Sequence, residues 1–336
     1  MPSWGEILTE LEASDPITKY DDIRRKYLVK LYQKTGRPVI LYATRFMQPS
    51  QGVDPQALTV SISDIQGLME VMRGVESDGL DLIIHSPGGS IDAAEAFVTY
   101  LRSKFSHIRA FIPQAAMSAA SMIACGADEI VMGKHSFLGP FDPQFVLQTP
   151  LGVRMVPAQA ILEQFAQAQR ECSSDQSRLA SWVPMLSQYG PDLLVQCSNA
   201  SALAKTLVEE WLKKYMYKGD SEKADKAATW LSTHENFKSH GRFLNRDVLR
   251  EHDIEVISLE DDEELQDLVL SVYHATTHTF GATPAAKIIE NHLGRAYLSL
   301  SGTAIPQGMP AGILPLPLSP MRPFPPAPQP PGAQEP

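Results

Sequence analysis

Leu80-Asp81-Leu82-Ile83-Ile84-His85-Ser86-Pro87-Gly88-Gly89-Ser90 reads as an apolar strand that breaks into a tight glycine turn. A helical pattern follows from Ile91 to Phe105, then a short apolar strand from Ile108 to Ile112. Next comes a run of small residues, Gln114-Ala115-Ala116-Met117-Ser118-Ala119-Ala120-Ser121-Met122. The stretch closes with Ala127-Asp128-Glu129-Ile130-Val131-Met132 and Leu138-Gly139-Pro140-Phe141-Asp142-Pro143, ending at Phe145. Strands alternating with helices imply parallel pairing through crossover connections, so the fold class is α/β.

The totals agree with a packed domain. The chain has 336 residues, of which 43% are hydrophobic, enough for a full core. A net charge of −10 argues against a nucleic-acid role, which needs a basic face. Cys125, Cys172 and Cys197 have neither metal-ligand spacing nor a disulfide framework, so no metal is expected and a reducing, cytoplasmic setting is. Met1-Pro2-Ser3-Trp4-Gly5-Glu6 lacks the basic and apolar regions of a signal peptide. No apolar run approaches the roughly 18–20 residues of a membrane helix, which leaves room only for peripheral membrane contact.

Outward from the centre, residues 1–35 read as a helical arm. Ile23, Tyr27 and Leu31 recur at one-turn spacing, with Arg24, Arg25, Lys26 and Lys30 on the other face. Gly36 stops the helix, and Pro38 to Ala43 reads as a buried strand. Ser63-Asp64-Ile65-Gln66 opens a helix with side-chain acceptors for its first amides and turns Ile65, Leu68, Met69 and Met72 inward. Residues 150–215 read as helical, with a stripe through Leu203, Leu207 and Trp211. A strand is expected from Ile254 to Leu259, a helix from Leu265 to Phe280 and another helix after Pro284. The main domain is thus 36–302. Residues 303–336 are a disordered, proline-rich tail prone to polyproline II, whose PxxP spacings could dock an aromatic groove.

Acyl transfer needs a nucleophile, a base, a group that orients the base, and donors for the oxyanion. Ser118 supplies the first, among alanines that let a substrate backbone approach a helix start. Gly88, Gly89 and Ala119 supply backbone amides. Taken alone, a serine among small residues is usually tight packing, and a Pro-Gly-Gly turn is usually only a turn.

The order of the two motifs resembles the Clp-type protease and signal peptide peptidase superfamily, which shares the crotonase-like fold. There a Ser-Pro-Gly-Gly turn after a strand supplies an oxyanion donor, and a serine at the next helix start is the nucleophile. Ser86-Pro87-Gly88-Gly89 and Ala116-Met117-Ser118 match that pattern. Ala127 to Val131 resembles a strand motif of the signal peptide peptidases, and counting back from it selects Ser118. Ala119-Ala120-Ser121-Met122 resembles the Clp box, so Ser121 is a rival. The serine dehydrogenase proteinase family is resembled more fully. Thr35 to Tyr42, Leu138 to Gln144, and Ile289-Glu290-Asn291-His292-Leu293-Gly294-Arg295 carry that resemblance. It spans Trp4 to Tyr297. What it implies is a Clp/crotonase-like spiral of strand-strand-helix units with helical additions, a peptide or protein substrate, and a homo-oligomer. Dehydrogenase chemistry is not expected, because no dinucleotide fingerprint follows a strand, and no cofactor is expected.

The resemblance implies a triad in the order Ser, Asp, His. The Clp histidine would fall about two dozen residues after the nucleophile, and there this chain has Asp142. No histidine lies between His135 and His234, so the base comes from further on. His240, in Ser239-His240-Gly241-Arg242, is the choice, with Asp142 as its orienter. His274, His278 and His292, on helices expected near the end of the domain, are rivals. A serine–lysine dyad would instead use Lys205, or less plausibly Lys134. Without the resemblance, Asp142 before Pro143 is a turn starter, and His85 is read as a core hydrogen-bonding residue, with lining of the cleft as its alternative. Three functions compete: a serine endopeptidase, an inactive Clp-fold scaffold that recruits partners through its tail, and crotonase-like acyl-CoA chemistry. The last usually needs a glutamate at the cleft and a pocket for the CoA, and it would leave a helix-start serine without a use.

Overall fold

The computed structural model describes residues 3–48, 53–149 and 152–301; the proline-rich tail and its expected disorder lie outside the described residues. In chain order the first elements are helices α1 (Trp4–Glu12) and α2 (Lys19–Thr35), strand β1 (Val39–Thr44), helix α3 (Asp64–Met72), strand β2 (Gly79–His85) and helix α4 (Ile91–Arg102). Then come β3 (His107–Ile112), β4 (Ala115–Ala116), α5 (Ala119–Cys125), β5 (Glu129–Met132), β6 (Phe137–Leu138), β7 (Gln144–Thr149) and β8 (Gly152–Pro157). Helices α6 (Ala158–Ser174), α7 (Leu179–Leu186), α8 (Leu193–Trp211), α9 (Ser221–Ser232), α10 (His234–Phe237) and α11 (Arg246–Glu251) follow. The described part ends with β9 (Val256–Ser258), α12 (Glu263–Ala282), β10 (Ala285–Asn291) and β11 (Ala296–Leu300).

Seven strands form the main sheet in the order β11-β10-β1-β2-β3-β5-β9. From β1 to β9 every neighbour is parallel, and β10 and β11 close one edge antiparallel. Parallel strands covered on both faces are apolar throughout, which is why Val39 to Ala43 and Leu82 to Ile84 are buried without alternation. Side chains still alternate between faces. Ile40, Tyr42, Leu82 and Ile84 pack under α3, α4, α5 and α8. Val39, Leu41, Ala43 and Ile83 pack under α2 and α12.

Several expectations are corrected. The segment after Pro284 is not a helix but strand β10, every residue of which is buried. Its β-branched pair Ile288-Ile289 completes the sheet beside β1. Residues 152–157 are the return strand of a β7–β8 hairpin. Met69 is exposed, while Leu68 and Met72 carry the inner face of α3. Ser63 makes no side-chain cap there. Instead Asp64 accepts from the Ser61 amide at 3.0 Å and from Tyr42 Oη at 2.7 Å, and pairs with Lys287. Arg24, read from periodicity as outward, is fully buried. It pairs with Glu290 of β10, which also holds Arg25 Nε at 2.6 Å. A guanidinium there escapes the cost of burial only because the carboxylate is buried with it. Leu203 is exposed, so the stripe of α8 runs through Leu207, Val208 and Trp211.

A second row of short pairings crosses the carboxyl ends of the strands. Ser86 bridges Ala116, β4 pairs with β6, and Leu138 bridges Leu244. This row positions the site.

Candidate active site

Each rung of that row fixes one candidate segment. Ala116 stands two residues before Ser118, Leu138 four before Asp142, and Leu244 four after His240. Ser118, Asp142 and His240, 24 to 122 positions apart in sequence, are thereby tied to one row of pairings.

Ser118 sits between β4 and α5, half-buried among buried neighbours. Its backbone has φ 53° and ψ −122°. A β-branchless polar residue in that left-handed region costs on the order of 1–3 kcal/mol, and such strain concentrates at sites of function. As the residue before α5 it makes no side-chain cap, so its hydroxyl is not spent on the helix. Gly88, at φ 95°, lies directly against it. A Cβ there would come within 2.6 Å of Ser118 Cβ, 2.5 Å of the Met117 carbonyl and 2.8 Å of the Ala119 nitrogen. Only glycine allows both the angle and the approach. The Gly88 amide donates to Ser86 Oγ at 3.2 Å. Gly89 is pressed against Val60, whose amide and carbonyl bond Gly88 O and Ser90 N. The Gly89 and Ala119 amides have no backbone acceptor among the described residues.

Ser121 is different in kind. It is fully buried, donates to the Ala116 carbonyl at 2.7 Å and accepts from the Gly139 amide at 2.9 Å. Its hydroxyl ties α5 to the segment that carries Asp142.

Asp142 is buried, with its side chain 3% exposed, and both oxygens are used. Oδ1 lies 2.8 Å from His240 Nδ1, and Oδ2 lies 2.8 Å from His234 Nδ1 and 3.0 Å from Gln144 Nε2. The expected Asp142–His240 pair is brought together. His234 is a second partner that sequence reasoning missed. Its only signal was that it is the first histidine after a long stretch without one. Neither ring is hydrogen-bonded to Ser118; both Nδ1 atoms face the carboxylate, which leaves each Nε2 for another partner.

A family model of ClpP-like SDH-type serine proteinases matches residues 18–256. The chain belongs to this family. Among curated proteins, it is 33% identical over 157 residues to an uncharacterized protein, MJ0137, of Methanocaldococcus jannaschii, covering 46% of this chain and 51% of that one. A second uncharacterized protein of that organism, MJ1495, is 36% identical over 107 residues, covering 32% and 34%. The chain thus spans about half, or a third, of the length of these relatives. The solved 1510-N membrane-bound stomatin-specific protease is similar with a TM-score of 0.37 at 13% identity, over 62% of this chain and 79% of that one.

The family membership makes this a serine peptidase fold, and the remaining candidates can be placed within it. Lys205 is paired with Asp225 at 2.9 Å on the surface. Lys134 is exposed in a loop. His278 Nε2 donates to the Trp4 carbonyl, 3.0 Å away. His292 is not helical; it follows β10 and stacks on Tyr32. None of these is hydrogen-bonded to Asp142. Among the described residues, no helix is long and apolar enough to cross a membrane, and no cluster of three or more histidine, cysteine or acidic residues could hold a metal.

Proposed function

We propose that the chain hydrolyses peptide bonds through an acyl-enzyme on Ser118, with His240 as base and Asp142 as its orienter. The observation that carries the reading is the buried carboxylate of Asp142 on His240 Nδ1. That contact fixes the tautomer in which Nε2 can take a proton. Ser118 Oγ attacks the substrate carbonyl carbon while its proton passes to His240 Nε2. The oxyanion is met by the Gly89 and Ala119 amides, and Gly88 contributes its missing side chain rather than its amide. The C–N bond then breaks as His240 returns the proton to the leaving amine. Water enters by the same route in reverse and frees Ser118. Apo hydrogen bonds of this kind are often long and close only around substrate, which accommodates the open Ser118–His240 step.

That open step also favours a second reading, a scaffold without hydrolysis. Labelling with a fluorophosphonate decides between them. Hydrolase chemistry predicts a label on Ser118 by mass spectrometry, lost in Ser118→Ala; a folded, unlabelled wild type would leave the scaffold. The substrate is proposed to be a peptide or protein and the working form a homo-oligomer. An exposed apolar hairpin face, with Val146, Val153 and Met155 each about two-thirds exposed, supports the latter. Three unpaired cysteines support a cytoplasmic setting.

A further inference from the structure

Six buried side-chain polar atoms lack a hydrogen-bond partner among the described residues, and five of them line one cavity. They are Thr44 Oγ1, Arg45 Nε, Gln48 Oε1, His85 Nδ1 and His274 Nδ1. Buried polar groups are normally satisfied, so five orphans around one space of about 270 Å³ are a built feature rather than scattered exceptions. The cavity lies at the carboxyl ends of β1 and β2, beside α12, where open α/β sheets place ligands.

Arg45 decides the charge of what fits. It is 8% exposed. Its Nη1 donates to the Thr283 carbonyl just after α12 at 3.2 Å and less closely to that of Ala285, the first residue of β10. No carboxylate pairs with it among the described residues, in contrast to the fully buried Arg24 and its Glu290. Water could satisfy a hydroxyl, an amide or an imidazole, but it does not neutralise a buried guanidinium. His85 and His274 add no charge. Burial holds them near 3 and near 4, so both rings are neutral and each offers one donor or one acceptor. Among the described residues, no acidic side chain lines the space. Trp4, Tyr273 and Phe280 supply flat rings to the wall, which Met47, Gln114 and Thr277 complete.

We propose that this cavity binds a small organic carboxylate with an apolar or aromatic body, the carboxylate on Arg45 and the body against Trp4, Tyr273 and Phe280. The volume falls just below the roughly 300 Å³ at which drug-sized sites begin, so the ligand is metabolite-sized. The site is separate from Ser118, though His85 is the residue directly before the Ser86–Gly89 turn.

The test is calorimetric titration of the full chain near neutral pH with 3-phenylpropionate, its neutral amide 3-phenylpropanamide, and inorganic phosphate. Saturable binding of 3-phenylpropionate is expected, at least tenfold tighter than either of the others. Arg45→Met and the cavity-filling Gln48→Trp should each weaken it at least tenfold, with folding checked by circular dichroism. The amide comparison needs no variant, so it stands even if Arg45→Met does not fold. Ser118→Ala should bind as wild type does, whatever happens to hydrolysis. No saturable binding to wild type, equal binding of acid and amide, binding of phosphate as tight as that of the acid, or loss of binding in Ser118→Ala would each overturn the proposal.

Discussion

His240 Nδ1 lies 2.8 Å from Asp142 Oδ1, and the other oxygen of the same carboxylate holds His234 at the same distance. One buried acid therefore orients two rings, and only one of them need act as base. Asp142→Asn is expected to lower kcat/KM on a peptide substrate roughly 10³–10⁴-fold, as loss of the orienting carboxylate does in related triads. His240→Ala should match it. His234→Ala should cost less than about tenfold, and a larger loss in that variant than in His240→Ala would move the base to His234.

Ser121 bridges the Ala116 carbonyl and the Gly139 amide, so its role is to join two segments of the site. Ser121→Ala strands a buried donor and should cost about 1–3 kcal/mol of stability in a denaturant titration. Fluorophosphonate labelling of the folded fraction should persist. A stable but unlabelled Ser121→Ala would return the nucleophile to Ser121.

Strain at Ser118 makes a prediction that activity alone does not. Both Ser118→Ala and Ser118→Gly remove the hydroxyl, but only glycine is at ease at φ 53°. Ser118→Gly should therefore be the more stable of the two, by on the order of 1 kcal/mol. Equal or reversed melting temperatures would mean that the backbone relaxes once the side chain is gone.

The central sheet and the Ser118–Gly88 approach were legible because each leaves a local mark: an apolar run, a glycine pair, a small-residue run at a fixed distance. The partner of Asp142 was only half legible. His240 stood beside a recognisable turn, whereas His234 reaches the carboxylate through the fold of α10, which no local pattern announces. Arg24 was misread for a related reason. Periodicity assigns a charged residue to solvent, and nothing near it in sequence reveals that Glu290 waits on a distant strand. The segment after Pro284 was misread because seven residues that mix Ile288 and Ile289 with Lys287, Glu290 and Asn291 have no period that separates a buried strand from a helix.

The β7–β8 hairpin pairs Val146 with Met155 and Gln148 with Val153 on one outward face. Its inner face, with Phe145, Leu147 and Val156, packs on α6 and α8. If the outer face meets a second copy, Val153→Glu combined with Met155→Glu should shift the mass seen by light scattering to that of a smaller species. The melting temperature of the dissociated chain should change little, since exposed substitutions usually cost within about 0.5 kcal/mol. An unchanged mass would exclude this face as the interface.

Burial pushes His85 down to about 3 and His274 to about 4, and it also lowers His292. His85 and His274 are therefore neutral in the folded state at pH 6 but take a proton in the unfolded chain, whose histidines titrate near 6.5. The unfolded state thus binds more protons below that pH, and stability must fall as pH drops. Between about pH 6.5 and 5 this comes before the carboxylates, which in the unfolded chain titrate nearer 4. A fully enclosed histidine that stays neutral in the folded state approaches a slope of about 1.4 kcal/mol per pH unit. His85→Leu should remove close to one proton from the linkage measured by urea titration across that window, because His85 is almost fully enclosed. His274→Leu should remove less, since that ring is half-buried and solvent screens it. A slope that His85→Leu leaves untouched would mean that the ring is already charged in the folded protein, and the neutral cavity wall beside Arg45 would then not exist.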